Sequence, residues 1–401
     1  MFFKLKSRVG LLYIKITLFK VNYLPWSATV ADSIKISNDK KSLSCLIMDS
    51  FASNSKILDQ QLQQLLVDLA NHPQGKLIQR ALQVLLRIAG EDTERLDWKI
   101  LTASLEDLEQ GFKKFSPYRH TRKIAIFGSA RTSPLQPEYQ VASDFARCMT
   151  QAGFMVITGA GGGIMQAGNE GAGRDNSFGL NIRLPFEQGA NSAINGDDKL
   201  INFKYFFTRK LFFLKESDAI ALFPGGFGTQ DEAFETLTLC QTGKYGPVPL
   251  VLVDRPGGDY WHSWNDYICS QLKTKGLISP EDSSLYTITD RLDVACQTIK
   301  NFYRVYHSSR YIGKLFVMRL KLELSDPVVA ELNQEFNDIL SHGEIRKNIA
   351  LPEEQQDLEA LVLPRLSFYF NQKSFGRLYQ LISKINRLGD TCAATKHPEI
   401  K

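Results

Sequence analysis

Residues 218–232 read DAIALFPGGFGTQDE, a short apolar run followed by three glycines within six residues and then a polar stretch. An apolar run of this length, bounded by proline and glycine, is typical of a buried strand. Glycines allow the backbone to turn sharply and to approach a ligand closely. The stretch therefore predicts a strand, a tight turn and a helix, the repeating unit of a parallel α/β sheet.

Four further apolar runs of the same kind lie on either side of it. They are KIAIF (123–127), FMVIT (154–158), FGLNIRL (178–184) and VPLVLV (248–253). The segments between them are long enough for helices or extended crossovers. Apolar strands that alternate with helices indicate a mostly parallel sheet covered on both faces. We therefore predict a Rossmann-like, three-layer α/β/α fold.

The flanks of this region are predicted to be helical. Leucines recur at three- and four-residue steps from residue 58 to residue 86, which indicates helices over 50–115. After about residue 305 we recognise no strand pattern, and 315–388 is interpreted as helices interrupted by prolines. The predicted layout is an extension over 1–47, a helical segment over 48–119, the α/β core over 120–305 and a helical segment over 306–401.

Charge and cysteine content exclude several classes of protein. The chain has 401 residues, with 48 Lys and Arg against 43 Asp and Glu. Residues 1–47 hold eight basic and two acidic residues (+6), which leaves −1 for 48–401. A nearly neutral body argues against a nucleic-acid binder that relies on a basic surface. The six cysteines include no CxxC pair, so we expect neither a zinc site nor a disulfide framework, but reduced thiols in a cytoplasm.

The first 26 residues are apolar but carry five Lys or Arg residues, so no uncharged run reaches the ~20 residues of a membrane span. We therefore expect no membrane association. A secretory signal is an alternative, although Lys15 and Lys20 interrupt its apolar part. We favour the hypothesis that residues 1–47 are a non-native or disordered extension and that the native start is Met48, which N-terminal peptide mapping would test.

Three glycine-rich turns follow apolar strands, at 127–131 (FGSAR), 158–173 (TGAGGGIMQAGNEGAG) and 223–232. In a parallel sheet, ligands bind beyond the carboxyl ends of the strands, and a following helix offers free amides to an anion such as phosphate. No turn fits GxGxxG and no GxxxxGK[ST] occurs, which disfavours NAD and Walker-type ATP binding. Glycines in 158–173 have a purely steric explanation as well; the third turn favours a ligand.

Two charged positions have both a structural and a functional interpretation. Thr229 and Glu232 fit a capping box, in which the carboxylate only closes the start of a helix. A carboxylate one turn into a phosphate-binding helix would instead face the sugar attached to that phosphate. Arg209 and Lys210 follow the aromatic run FKYFF (203–207). Paired cations usually lie on a solvated face, whereas an arginine among apolar neighbours suggests a held guanidinium.

Together these residues resemble the LOG (Lonely Guy) family, the nucleoside 5′-monophosphate phosphoribohydrolases once mislabelled lysine decarboxylases. PGGFGTQDE is similar to the family motif PGGxGTxxE, and Arg209-Lys210 precede it as they do in the family. The Gly-Ser turn at 128–129, GGGIM (161–165) and GLNIRLPFEQ (179–188) follow the family's order, so the resemblance covers about 120–300. Ala160 and Gly162 depart from it, since many relatives have glycine and proline there.

The resemblance implies hydrolysis of the N-glycosidic bond of a purine nucleoside 5′-monophosphate, cytokinin-type or AMP-like, to free base and ribose 5-phosphate. It implies that Glu232 stabilises an oxocarbenium-like state or activates water, and that Arg209 is the second catalytic residue, orienting substrate and favouring the ionised carboxylate. The resemblance implies neither a metal nor a cofactor. It does imply a homodimer or a higher homo-oligomer. The implied substrate-binding residues are Gly128, Ser129, Gly161, Gly163, Lys210, Gly225, Gly226, Gly228 and Thr229.

Two non-catalytic alternatives stay open at this point. Some proteins of this fold carry nucleotide-like cofactors such as the molybdenum cofactor without turnover, and the flanks would also suit a nucleotide sensor. A carrier has no need of both Arg209 and Glu232. Pyridoxal-dependent lysine decarboxylation is disfavoured, because Lys210 is the only lysine near the motifs.

Overall fold

The computed structural model describes residues 64–182, 189–355 and 360–394, except residues 66 and 70. The predicted extension over 1–47, residues 183–188 of the third apolar run and its continuation, and residues 395–401 lie outside these ranges. The chain divides into two compact units, Met1–Thr93 and Glu94–Lys401. In the first unit, helix α1 spans Gly75–Ala89.

The second unit contains a seven-stranded sheet in which every neighbouring pair is parallel, in the order β4-β3-β2-β1-β5-β6-β7. Its strands are β1 (Lys123–Phe127), β2 (Met155–Thr158), β3 (Ser177–Ile182), β4 (Leu200–Phe203), β5 (Ala219–Leu222), β6 (Leu250–Val253) and β7 (Thr287–Thr289). The predicted α/β class is confirmed, and each of the five apolar runs contributes a strand. The edge strands β4 and β7 were not predicted.

Helices cover both faces of this sheet. They are α2 (Arg95–Phe115), α3 (Pro137–Gln151), α4 (Ile164–Ala172), α5 (Phe206–Lys215), α6 (Phe227–Gln241), α7 (Tyr260–Tyr267) and α8 (Leu292–Phe302). Successive strand residues point to opposite faces. In β1, Ile124 packs in the cluster that contains α3, α4 and α8, whereas Ala125 packs in the cluster that contains α2, α5 and α7. The result is the predicted three-layer arrangement.

The prediction of a purely helical segment over 306–401 is wrong. Four antiparallel strands form a second sheet in the order β10-β11-β9-β8. Its elements are β8 (Tyr306–Ile312), β9 (Leu315–Leu320), α9 (Asp326–Glu335), β10 (Leu340–Asn348), β11 (Arg365–Phe370) and α10 (Phe375–Ala394). Strands β8 and β10 are largely half-buried or exposed, so their sequences carry too few apolar residues to be recognised as strands.

The antiparallel sheet and the parallel sheet share one hydrophobic core. The cluster around Ile124 also contains Phe316, Leu366 and Ile382 from the later elements. The Asn386 side chain of α10 ties the two parts together, because its Oδ1 accepts hydrogen bonds from the amides of residues 305 and 306 at 2.8 and 3.0 Å and its Nδ2 donates to the carbonyl of residue 302 at 2.8 Å. The chain therefore crosses residue 305 without a linker between domains.

A buried ion triad joins strands β9 and β11 to Glu354, which lies between β10 and β11. The carboxylate of Glu354 is fully buried, 2.7 Å from Nη2 of Arg319 and 2.9 Å from Nε of Arg365. Burial opposes ionisation of this carboxyl, but the hydrogen bonds from the two arginines hold its pKa below the usual value. The carboxylate thus compensates part of the buried positive charge of the two arginines.

Candidate functional site

The strand order reverses between β1 and β5, where a parallel sheet forms a ligand crevice. The two glycine-rich turns that leave these strands are hydrogen-bonded to each other. The amide of Phe223 donates to the carbonyl of Phe127 at 2.8 Å, and the amide of Ser129 donates to the carbonyl of Pro224 at 3.0 Å. Turns that are almost 100 residues apart in sequence therefore form one surface.

A cleft of about 1430 Å³ opens on this surface. Nine of the predicted site residues line it: Gly128, Ser129, Gly161, Arg209, Gly225, Gly226, Gly228, Thr229 and Glu232. The other two, Gly163 and Lys210, lie outside the lining. The cleft thus brings together residues of all three glycine-rich turns and of helices α5 and α6.

The turn after β5 presents free amides to the cleft. Helix α6 begins at Phe227 with Gly226 as its N-cap, and no side chain caps it. Among the residues that the structure describes, no acceptor takes a hydrogen bond from the amides of Gly226, Phe227 or Gly228. A Cβ on Gly225 would lie 2.1 Å from Oγ1 of Thr229, so this position accommodates only glycine. The unpaired amides and the helix dipole favour an anion here.

The capping-box interpretation of Glu232 is wrong. Because α6 starts three residues earlier than predicted, Thr229 is its third residue and Glu232 its sixth, in the second turn. A capping box requires Ser or Thr at the N-cap and Glu at the third helical position. The carboxylate therefore does not close the start of the helix as a capping-box residue.

Glu232 is a buried carboxyl group at the wall of the cleft, with 6% of the residue exposed. Burial raises its pKa from 4.5 to about 7, although Lys210 and Arg209 act in the opposite direction. Arg209 thus favours the ionised form, as the resemblance implies, but desolvation outweighs both cations. The carboxyl group changes its protonation state near neutral pH, which suits proton transfer in catalysis.

Arg209 is held among aromatic rings in the first turn of α5. Its guanidinium carbon lies 5.2 Å from the ring centre of Phe206 and 5.5 Å from that of Phe213. Nη1 is also 3.5 Å from the carbonyl oxygen of Leu180. These contacts orient a cation at the cleft wall, in agreement with a held guanidinium rather than a solvated one.

The two predicted residues outside the lining, Lys210 and Gly163, contact elements that form the cleft. Lys210 bridges α5 to α6 through ion pairs with Asp231 at 2.8 Å and Glu235 at 2.7 Å. Gly163, at φ 63°, precedes α4, and a Cβ there would lie 2.2 Å from the carbonyl oxygen of Ser129. Lys210 therefore fixes the spacing of the two helices, and Gly163 permits close backbone packing.

A polar network at the second glycine-rich turn was not predicted. Ala160 has φ 62°, an uncommon conformation for a residue with a side chain. The amide of Ala160 donates a hydrogen bond to Oγ1 of Thr158 at 3.0 Å. The carbonyl of Ala160 accepts a hydrogen bond from the amide of Asn191 at 2.8 Å. Nδ2 of Asn191 also donates to the carbonyl of Gly161 at 3.0 Å. These bonds hold a strained turn at the departure from the family pattern.

The described residues contain neither a metal-binding cluster nor a membrane-spanning helix. No group of three or more His, Cys, Asp or Glu side chains is placed to hold a metal ion. Within the same residues, no helix combines the length and apolar character of a membrane span.

The model of a family described as "possible lysine decarboxylase" matches residues 163–299. No curated protein matches the chain. The molybdenum cofactor binding protein from the phototrophic bacterium Rippkaea orientalis is 17% identical, with 45% of this chain and 96% of that chain covered and a TM-score of 0.32. The structure of TM1055 is 20% identical, with coverage of 45% and 98% and a TM-score of 0.32.

A molybdenum cofactor carrier protein from Chlamydomonas reinhardtii is 17% identical, with 45% of this chain and 96% of that chain covered and a TM-score of 0.31. Similarities this distant carry no functional argument. The matched range includes Arg209, the PGGFGT turn and Glu232, and the family's description is the former name of the LOG family. Residues 163–299 therefore match the LOG family, which supports a nucleotide-processing or nucleotide-binding role for this segment.

Proposed function

We propose that this protein hydrolyses the N-glycosidic bond of a purine nucleoside 5′-monophosphate, cytokinin-type or AMP-like, to the free base and ribose 5-phosphate. The observation that carries the proposal is the placement of Glu232. A buried carboxyl group with a pKa of about 7 lines the same cleft as a turn of unpaired amides. The unpaired amides suit a phosphate, and the carboxyl group suits the reacting carbon of the sugar.

The phosphate end of the substrate would bind at the turn after β5. The amides of Gly226, Phe227 and Gly228 are free to donate, and the positive end of the α6 dipole adds to the attraction. The side chain of Thr229, which also lines the cleft, adds a hydroxyl group. A nucleoside without phosphate would lose all of these interactions.

The reaction would take place at the anomeric carbon. As the N-glycosidic bond breaks, its electron pair leaves with the base and positive charge builds up on the ribose ring. The carboxylate of Glu232 would stabilise that charge and accept a proton from the water that bonds to the carbon. The departing base takes up a proton in turn, so the protons balance.

Arg209 would orient the substrate and keep part of the Glu232 population ionised. Its guanidinium is already fixed against Phe206 and Phe213. A positive charge in this place also lowers the pKa of Glu232, against the effect of burial. Loss of Arg209 would therefore reduce both positioning and the fraction of active carboxylate.

The test is release of base from a panel of nucleoside monophosphates, nucleosides, and di- and triphosphates. We expect the wild type to prefer monophosphates, and Glu232→Gln and Arg209→Ala each to lower the rate by about 10²–10⁴-fold. Glu138→Gln is the matched control, because Glu138 is a partly buried carboxylate of the same unit that pairs with Arg255 at 3.0 Å outside the cleft.

Full activity in both cleft variants would refute the assignment of the catalytic pair. Nucleotide binding by the wild type without release of base would instead indicate a carrier or a sensor. Since Glu138→Gln keeps the cleft intact, its rate should stay within a few-fold of the wild-type rate.

We also propose that the protein forms a homodimer or a higher homo-oligomer, as the resemblance implies. Three aromatic side chains near the cleft are exposed: Phe206 at 48%, Phe207 at 57% and Phe227 at 97%. Exposed apolar surface of this kind marks interaction sites. Light scattering on the purified protein tests the proposal, and the mass of a monomer would contradict it.

A further inference from the structure

We propose that Tyr260 is a positioning residue, whose hydroxyl group fixes the loop amide that receives the 5′-phosphate. This inference rests on the proposed function for the identity of the ligand. Tyr260 is the first residue of α7 and lies outside the cleft lining. It therefore acts through the backbone of the turn after β5 and not by touching the substrate.

The hydroxyl group of Tyr260 holds one peptide group in a defined orientation. It donates to the carbonyl oxygen of Gly225 at 2.5 Å and accepts a hydrogen bond from Nε2 of Gln230 at 2.7 Å. No peptide bond among the described residues is cis. In a trans peptide the C=O and N–H bonds point in opposite directions. The amide of Gly226 must therefore point away from Tyr260.

We place the cleft on the side opposite Tyr260, because Gly226 lines the cleft whereas Tyr260 does not. Gly226 lines it, and a Cβ built on Gly226 would meet no atom within 4 Å, which shows open space beside this residue. The preceding peptide is fixed in the same way, because the carbonyl of Pro224 accepts the amide hydrogen of Ser129 at 3.0 Å. Two consecutive carbonyl groups are thus held by bonds from outside the turn.

Such bonds matter because glycine restricts the backbone very little. The peptide between Gly225 and Gly226 has no side chain on either side to oppose rotation. If it flipped, a carbonyl oxygen would face the bound anion in place of an N–H group and would repel it. The Tyr260 hydroxyl group thus favours the orientation that binds phosphate before the ligand arrives.

Tyr260 is itself fixed by the end of strand β6. Its amide donates to Oδ2 of Asp254 at 2.8 Å, and its ring packs against that of Trp261 with 4.9 Å between the ring centres. A Cβ on Gly258 would lie 2.2 Å from Oδ1 of Asp254, so glycine is needed for this approach. The network therefore connects the end of β6, through Tyr260, to the turn after β5.

The experiment compares Tyr260→Phe with the wild type by calorimetric titration with inorganic phosphate and with ribose 5-phosphate. Removal of one hydrogen bond should weaken the binding of both ligands by roughly 3- to 10-fold. The KM for AMP should rise by a similar factor. Slow release of base from adenosine, which lacks the phosphate, should be unchanged, and a merely structural role would not produce this difference.

Tyr286→Phe is the matched control. Its hydroxyl group donates to Oδ1 of Asn265 on the same helix at 2.7 Å and does not contact the turn. We expect its phosphate affinity to equal that of the wild type. Equal affinity of Tyr260→Phe and the wild type would overturn the proposal, and so would an equal loss in the two variants, which would indicate general loosening of α7.

A measurement on the wild type makes the test independent of variant folding. In protein labelled with ¹⁵N-glycine, phosphate should shift the amide proton of Gly226 but not that of Gly153, which lies outside the cleft lining. An unchanged Gly226 signal would overturn the proposal. Phosphate binding without release of base would contradict the proposed function alone, because the binding comparison still tests Tyr260. Absence of phosphate binding to the wild type would overturn both.

Discussion

Replacing Glu232 by glutamine should stabilise the folded protein at alkaline pH even though it removes the proposed activity. Burial raises the pKa of this carboxyl group from 4.5 to about 7. Well below pH 4.5 it is protonated in the folded and the unfolded states and does not affect the equilibrium. Between these values the unfolded state ionises first, so the free energy of unfolding of the wild type decreases as the pH rises.

Above pH 7 Glu232 is ionised in both the folded and the unfolded states. The full free-energy cost of burying its charge then lowers the stability of the folded protein. The difference between 4.5 and about 7 corresponds to roughly 3 kcal/mol at ~1.4 kcal/mol per pKa unit. Since only 6% of residue Glu232 is exposed, solvent screens this cost little. Glu232→Gln lacks the ionisable group and therefore avoids the cost.

Urea unfolding of both proteins at pH 4 and pH 8.5 measures the effect. The two proteins share every other titrating group, so the difference between their free energies of unfolding isolates Glu232. We expect this difference to shift in favour of Glu232→Gln by about 2–3 kcal/mol from the lower to the higher pH. A difference that stays constant with pH would refute the reasoning that burial dominates at this site.

Four other outcomes follow from the structure. The rate of base release from AMP should rise with pH through about 7, because the mechanism uses ionised Glu232; initial rates between pH 5.5 and 8.5 check this, and a flat profile would contradict it. Ala160→Gly should raise the free energy of unfolding by up to about 1 kcal/mol, since φ 62° strains a residue with a side chain. A lower free energy of unfolding in urea than that of the wild type would count against this. Gly225→Ala should lower the free energy of unfolding by about 1–3 kcal/mol, because the new Cβ would lie 2.1 Å from the hydroxyl oxygen of Thr229. At Gly228 a Cβ would meet no atom within 4 Å, so Gly228→Ala should keep the wild-type melting temperature. Glu354→Ala should lower the free energy of unfolding by about 3–5 kcal/mol, because two buried arginines lose their carboxylate partner. An unchanged calorimetric unfolding transition would show that the triad does not stabilise the fold.

In the parallel sheet, strands could be predicted where both faces are covered, whereas the mostly buried strands β9 (LFVMRL) and β11 (RLSFYF) of the second sheet were taken for helix. Strands β1 and β5, for example, are continuous apolar runs because both of their faces are buried. The edge strand β4 (LINF) has alternating burial, and β7 (TIT) is three residues long and mostly half-buried. In the second sheet, β8 (YHSSRYI) presents mainly polar residues. Partial burial removes the apolar signal on which a prediction depends.

The site was predictable as far as local sequence determines it. The turn that contains Gly225 and the carboxylate of Glu232 follow from a strand, a turn and a helix that are adjacent in the chain. Asn191 and Tyr260 were missed because each acts on a backbone carbonyl about 30 residues away. Such a contact depends on which turns the sheet order makes neighbours, and no spacing within one segment reveals it. The start of α6 was misplaced because Thr229 resembles a cap, whereas Gly226 occupies that position.

The three hydrogen bonds from the Asn386 side chain to the backbone have a practical consequence for anyone who wishes to isolate the α/β part of the chain. A fragment that ends near residue 305 would lack these bonds and would expose to water the apolar surface that Phe316, Leu366 and Ile382 cover. Such a truncation should precipitate rather than fold. The last helix, although remote from the cleft, thus belongs to the smallest piece of this protein that can be purified and assayed.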